Sequence, residues 1–191
     1  MQSNTNSFAA YWDRRMLRIL LLGIISGFPW VLIGSALTLW LKEDGISRST
    51  IGWAGLIFSV YAINFLWAPL IDRIKIPILT SLVGHRKAWI MSMQLLILLS
   101  LVVWSFLSPI DNLGAIVVIG LIIAISSASQ DITIDALRIE QIGKNESAAM
   151  AAGAATAVVG WWSGYKLGGL VTLITADWIQ ALGVENYWQI T

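Results

Sequence analysis

The run Asn112–Asp135, NLGAIVVIGLIIAISSASQDITID, decides what kind of fold this chain can have. From Asn112 to Gln130 it carries no charged side chain. A helix that crosses the hydrocarbon core of a bilayer needs about 20 residues at ~1.5 Å each. Within lipid, every backbone N–H and C=O must be satisfied inside the segment, so such a run is read as helix. Three further uncharged runs, Ile19–Leu41, Ile51–Ile71 and Ala88–Ile110, share this character. A fifth, Ala148–Tyr165, resumes after Lys166 through Leu167–Ala176. A soluble all-α domain would need polar faces on most of its helices, and those faces are missing here.

Composition agrees with this reading. Of 191 residues 57% are hydrophobic and 12% charged, with mean hydropathy +0.75, whereas soluble domains carry roughly 25% charged residues. A net charge of +1 gives no reason to expect a nucleic acid or an acidic partner. Cysteine is absent and His85 is the single histidine, so no metal site and no cofactor is expected. The first apolar run exceeds the ~7–15 residues of a signal-peptide core and has no small-residue cleavage site after it. It reads as a retained span.

Five spans are expected, at about 16–41, 51–71, 88–110, 112–136 and 148–176, behind a cytoplasmic segment 1–15. Arg14, Arg15 and Arg18 precede the first span, Arg73, Lys75, Arg86 and Lys87 lie between the second and third, and Arg138 and Lys144 follow the fourth. Only Lys42 and Arg48 fall on the other side. Basic loops stay cytoplasmic, so the N-terminus is placed inside the cell and the C-terminus outside. Trp40, Trp89, Trp178 and Trp188 sit where interfacial anchors belong. The closing residues Asn186–Thr191 read like the start of a sixth span. An N-terminal fragment of a longer bundle is therefore expected, since transporters are commonly built from three-helix repeats.

Charge inside a span costs a few kcal/mol and seldom faces lipid. Ser127, Asp131 and Asp135 are spaced four apart and share one helix face, with Gln130 and Arg138 beside them. Two readings stay open: a proton or substrate site, or a charge network tying span four to the basic second loop. Lys166 interrupts span five too far from its end to snorkel. At 1.5 Å per residue it lies ~16 Å in depth from Asp131, so a shared aqueous cavity is expected rather than direct contact. Gly160-x-x-x-Gly164-x-x-x-Gly168 is a doubled close-packing motif. Pro29, in Ser26-Gly27-Phe28-Pro29, frees a carbonyl in span one. Asp131-x-x-x-Asp135 is also compatible with a metal-dependent intramembrane enzyme, but spans one, two, three and five offer no further carboxylate.

Taken in order, several stretches resemble one family. They are Ser26-Gly27-Phe28-Pro29, Thr50-Ile51-Gly52, Phe65-Leu66-Trp67-Ala68-Pro69-Leu70-Ile71-Asp72-Arg73 and Gly84-His85-Arg86-Lys87-Ala88-Trp89. The more specific ones are Ser127-Ala128-Ser129-Gln130-Asp131-Ile132 with Asp135-Ala136, and Gly164-Tyr165-Lys166-Leu167-Gly168. From about Met16 onward the chain resembles the major facilitator superfamily, in particular the AmpG-type muropeptide permeases and their acetyl-CoA transporter relatives.

The resemblance implies twelve spans in two halves around a central cavity, and import of anhydro-muropeptides with protons across the bacterial inner membrane. It implies a transporter and not an enzyme, whose partners are the bilayer, protons, a polar solute and the missing C-terminal half. An acetyl-CoA-like or other anionic solute is the alternative cargo. The cavity would be lined by Asp131, Gln130, Lys166, Tyr165, Asn64 and Tyr61. Asp72, Arg73, Arg86 and Lys87 look like the family's cytoplasmic latch, with Asp135 and Arg138 as partners. Three departures stand out: ten residues, Ile74 to Val83, separate Arg73 from Gly84, Asn64 stands where relatives often have lysine, and Lys166 where they often have arginine.

Overall fold

The computed structural model describes residues 9–143 and 145–191, and among these every regular element is helical. Residues 1–8 of the expected N-terminal segment, and the loop base Lys144, lie outside the described residues. The first long helix, α1, runs Arg14–Glu43. Asp13 caps it by accepting from the Arg15 amide at 2.8 Å, which satisfies one of the free donors at a helix start. Pro29 is buried within it and does not end it; the helix continues through a π-helical turn at Leu32–Ala36.

Helix α2, Arg48–Leu66, starts at Ser47, whose hydroxyl accepts from the Thr50 amide. It tightens into 3-10 turns at Gly55–Phe58 and Asn64–Leu66. After Trp67 comes α3, Ala68–Arg73, with Pro69 in its first turn, where a missing N–H costs nothing. The second expected span is thus two helices joined at Trp67. A short α4, Leu79–Val83, follows, and α5 occupies His85–Trp104. Helix α6, Pro109–Gln141, begins inside the expected third loop and bends at the non-helical Asn112. Helix α7, Ser147–Ala181, and the short α8, Tyr187–Ile190, complete the chain.

Among the described residues four helices, Arg14–Glu43, Arg48–Leu66, His85–Trp104 and Pro109–Gln141, are long and apolar enough to cross a membrane. Helix α7 has the length but not the hydropathy, because alanine, glycine and tryptophan fill it. Its composition serves another purpose. Helix α7 packs along α1 more extensively than any other pair in the bundle. Gly160, Gly164 and Gly168 are all buried there. A methyl group on Gly164 would run into the Ile24 carbonyl, and one on Gly160 into that of Leu20. Helix α1 answers with its own Gly23-x-x-x-Gly27, where a Cβ on Gly23 would stand 2.7 Å from the Ala157 oxygen. Two small-residue stripes therefore interlock backbone to backbone, the arrangement that lets membrane helices associate without a hydrophobic driving force.

The bundle has two distinct ends. At one, Arg15 reaches the Gln141 carbonyl and the Glu146 carboxylate at 2.7 Å, and Arg86 joins Asp72 to Glu140. At the other, Tyr187 and Trp188 both donate to Glu43. Successive long helices thus alternate in direction.

Candidate functional site

Three consecutive residues of α6 each reach a different neighbour. Ser129 accepts from the Trp67 indole at 3.0 Å, beyond the end of α2. Gln130 donates to Gln94 of α5 at 2.9 Å. Asp131 accepts from the Ser26 hydroxyl of α1. Successive helix positions are rotated by about 100°, so a polar triplet can serve three partners at once. Two neutral hydrogen bonds and one to a carboxylate, in a low-dielectric interior, fix the lateral arrangement of α1, α5 and the α2–α3 junction around α6.

This geometry sorts the expected cavity residues. Gln130 is 0% exposed and committed to α5, so it is a packing contact and not a cavity-wall residue; its position one step from Asp131 turns it away. Asp131 remains partly open beside Ser26. Tyr61 of α2 stands beside Ser127 and Asp131. Among the described residues Tyr61 Oη and Ser127 Oγ are enclosed without a completed hydrogen bond, which leaves polar capacity beside the carboxylate. Asn64 is half-buried at the start of a 3-10 turn. Tyr165 of α7 lies with its hydroxyl 3.2 Å from that of Ser35 on α1. Lys166 is exposed, its ammonium 5.9 Å from the Trp162 ring, and no ion pair joins it to Asp131 among the described residues.

An aromatic wall links these polar groups. Trp30 lies one turn beyond Ser26 on α1 and packs on Tyr61 at 4.7 Å and Trp161 at 5.7 Å. Trp161 in turn stacks on Tyr165 with ring planes 2° apart. The sequence showed Tyr61 and Tyr165 only as isolated positions. Nothing in spacing along one helix could have revealed a wall drawn from three.

At the end of the bundle that holds Arg15 and Arg86, the expected latch takes a different partner. Asp72 pairs with Arg86 at 2.5 Å. The residue of α6 that closes on Arg86 is Glu140, at 2.9 Å, and not Asp135. Asp135 is exposed and turns to Arg138, three residues along its own helix, at 3.1 Å. Glu140 is five residues further toward the end where the loop between α3 and α5 lies, within reach of a guanidinium there. Arg73 and Lys87 are exposed and form no ion pair among the described residues. No group of three His, Asp or Glu side chains is placed to hold a metal ion among the described residues.

A bundle of long apolar helices with a hydrogen-bonded carboxylate and an aromatic wall at its heart defines a polytopic α-helical membrane protein. No family model matches the chain. Its relatives are nonetheless clear. It is 36% identical over 179 residues, 94% of its length, to "Putative transporter AmpG 4" of Rickettsia felis. It is 40% identical over 141 residues to "Putative transporter AmpG 1" of Rickettsia bellii. Against "Anhydromuropeptide permease" of Escherichia coli K12 it is 34% identical over 171 residues, 89% of this chain. This chain is a homologue of the AmpG-type transporters. It spans 41% of the Rickettsia felis relative and 33% of the Escherichia coli one.

Proposed function

We propose that this chain is part of a proton-coupled importer of anhydro-muropeptides in the bacterial inner membrane. It works together with helices equivalent to the remainder of its longer relatives. In this reading α7 is the fifth span and the end bearing Arg15, Arg86 and Glu140 faces the cytoplasm, in line with the positive-inside rule. The chain is a transporter component and not an enzyme. The Escherichia coli relative, an anhydromuropeptide permease by name, supplies the solute class.

One observation carries the coupling role: the Asp131 carboxylate is hydrogen-bonded to Ser26 of α1, beside the Tyr61 and Ser127 hydroxyls. An ionised carboxylate at this depth is costly unless solvated or bonded. Protonation removes the charge and weakens the hold of α6 on α1. A ligand or proton that favours one of two arrangements shifts their populations by its differential affinity, and a charge change of this kind is worth a few kcal/mol. The test is proton-driven uptake of a radiolabelled anhydro-muropeptide into membrane vesicles carrying the complete transporter. Asp131→Asn is expected to abolish the dependence on the proton gradient. Gradient-driven uptake at the unmodified rate would remove Asp131 from coupling.

A further inference from the structure

We propose that the connection between α3 and α5 is a membrane-surface anchor. Ile74, Ile78 and Leu82 seat in the acyl border, and Arg73, Lys75 and Lys87 meet the phosphates of anionic lipid headgroups. The inference concerns how the protein sits in the bilayer and is independent of what it transports. Ile78 and Leu82, one turn apart along α4, are 79% and 72% exposed, and Ile74 is 51% exposed. Large apolar side chains grouped on a surface mark a partner. The exposure does not come from slack chain. The Ile76 amide donates to the Thr80 hydroxyl at 2.9 Å, and the Ser81 hydroxyl donates to the Ile78 carbonyl. The Thr80 and Leu82 amides bond back to the Ile76 and Ile78 carbonyls. Ile78 itself has φ 63° and ψ −55°, with the Leu79 amide 2.6 Å from the Pro77 carbonyl. That is a γ-turn of the rare, strained kind, and a β-branched residue is poorly suited to it. The fold holds Ile78 outward at a conformational cost, and such strain gathers at positions with a function.

Two contacts set the height of this connection. Trp89 Nε1 donates to the Ile74 carbonyl at 2.9 Å, and His85 Nε2 lies 2.8 Å from the Ile71 carbonyl. Trp89 stands at the end of a span, where an indole settles at headgroup level, so Ile74 lies at that level too. Charge then selects the partner. Arg73, Lys75 and Lys87 are exposed and form no ion pair among the described residues, and no carboxylate stands between Arg73 and Lys87 in the chain. Apolar side chains flanked by free cations are the composition of segments that lie in the interface: the apolar groups enter the headgroup–acyl boundary while long basic side chains reach the phosphates. Basic residues beside a span are drawn to the negative potential of an anionic leaflet. A second protein surface is the other occupant such a face could take. Unpaired cations, on a connection whose two ends are membrane helices, favour the lipid surface. Arg86, the bridge between Asp72 and Glu140, directly precedes Lys87, so the anchor and that ion bracket belong to one segment.

A nitrobenzoxadiazole fluorophore on Ile78→Cys, and separately on Leu82→Cys, tests this in lipid nanodiscs, since the chain has no cysteine of its own. Asn145→Cys, exposed in the loop before α7, is the control. The nanodiscs are phosphatidylcholine with and without phosphatidylglycerol, each containing a lipid with a nitroxide near its headgroup. With phosphatidylglycerol, both loop probes are expected to be quenched by the nitroxide lipid and shielded severalfold from aqueous iodide relative to the control. Lys75→Glu, or high salt, should return them toward their values in phosphatidylcholine alone. The complete transporter should behave in the same way. Iodide quenching of the loop probes equal to that at Asn145→Cys overturns the anchor. So does lipid quenching indifferent to both phosphatidylglycerol and Lys75→Glu, because charge would then play no part. Loop probes shielded from iodide and nitroxide lipid alike in the complete transporter would show a protein partner on this face, and would overturn it too.

Discussion

Ser26 on α1 donates its hydroxyl to the Asp131 carboxylate on α6, and this is the polar contact that joins the first and fourth long apolar helices in the membrane interior. A hydrogen bond to a charged group contributes about 1.5–3 kcal/mol. Ser26→Ala should therefore lower muropeptide uptake by the complete transporter severalfold, with Ser26→Thr retaining most of it. Both are read from initial uptake rates at fixed proton gradient. Asp131→Asn should give the larger loss, because it removes the ionisable group, although its amide oxygen can still accept from Ser26.

The glycine interlock between α1 and α7 makes a prediction about stability that is independent of transport. Gly164→Ala and Gly27→Ala force a methyl group into opposing backbone, and overpacking of this kind costs roughly 1–3 kcal/mol. Gly52→Ala and Gly114→Ala meet nothing within 4 Å and are the controls. Thermal unfolding in detergent should separate the two pairs by several degrees.

Arg15 holds Asp13 and Glu146 together where the start of α1 meets the loop before α7. Its side-chain hydrogen bonds depress both carboxyls below their ordinary values of 3.8 and 4.5. A depressed native value means a contribution present above the ordinary value and lost as pH falls through the native one. The stability gap between the wild type and Glu146→Gln should thus be open near neutrality and close below about pH 4.5. Salt should shrink it too, since the pair is solvent-exposed and screened. Melting temperature against pH, at low and high salt, measures both.

Arg86 is the one guanidinium bridging Asp72 and Glu140 among the described residues. Arg86→Ala leaves two carboxylates facing each other and is expected to loosen that end of the bundle. Arg86→Lys keeps the charge but loses the two-pronged geometry, so an intermediate effect is expected. Glu140→Gln should resemble Arg86→Ala more closely than Asp135→Asn does, because Asp135 is spent on Arg138. Proteolysis of the loop between α3 and α5 in inside-out vesicles reports the difference.

Much of the fold was legible because bilayer chemistry leaves few options: long uncharged runs must be helices, and four of them satisfy both length and apolarity. The small-residue stripe of α7 was legible as a packing surface, but its partner stripe at Gly23 and Gly27 is shorter and hid among leucines and isoleucines. The site was half legible. Asp131 drew attention because charge in a span is costly. Its partner Ser26 did not, since a serine in a helix costs little and leaves no trace in hydropathy. Helical periodicity grouped Asp131 with Asp135, whereas neighbouring helices recruit Ser129, Gln130 and Asp131 one after another. The basic loop's carboxylate on α6 was misplaced by five residues because α6 extends to Gln141, further than the expected end near 136.

Whether the Ser35–Tyr165 face looks into water is the claim on which the rest turns. The chain has no cysteine of its own, so a single Ser35→Cys substitution gives a clean reporter. Its labelling in membrane vesicles by a charged, membrane-impermeant thiol reagent, with and without anhydro-muropeptide, is the direct measurement. The account predicts ready labelling that the muropeptide slows. Labelling only by a lipid-soluble reagent, indifferent to the muropeptide, would contradict it.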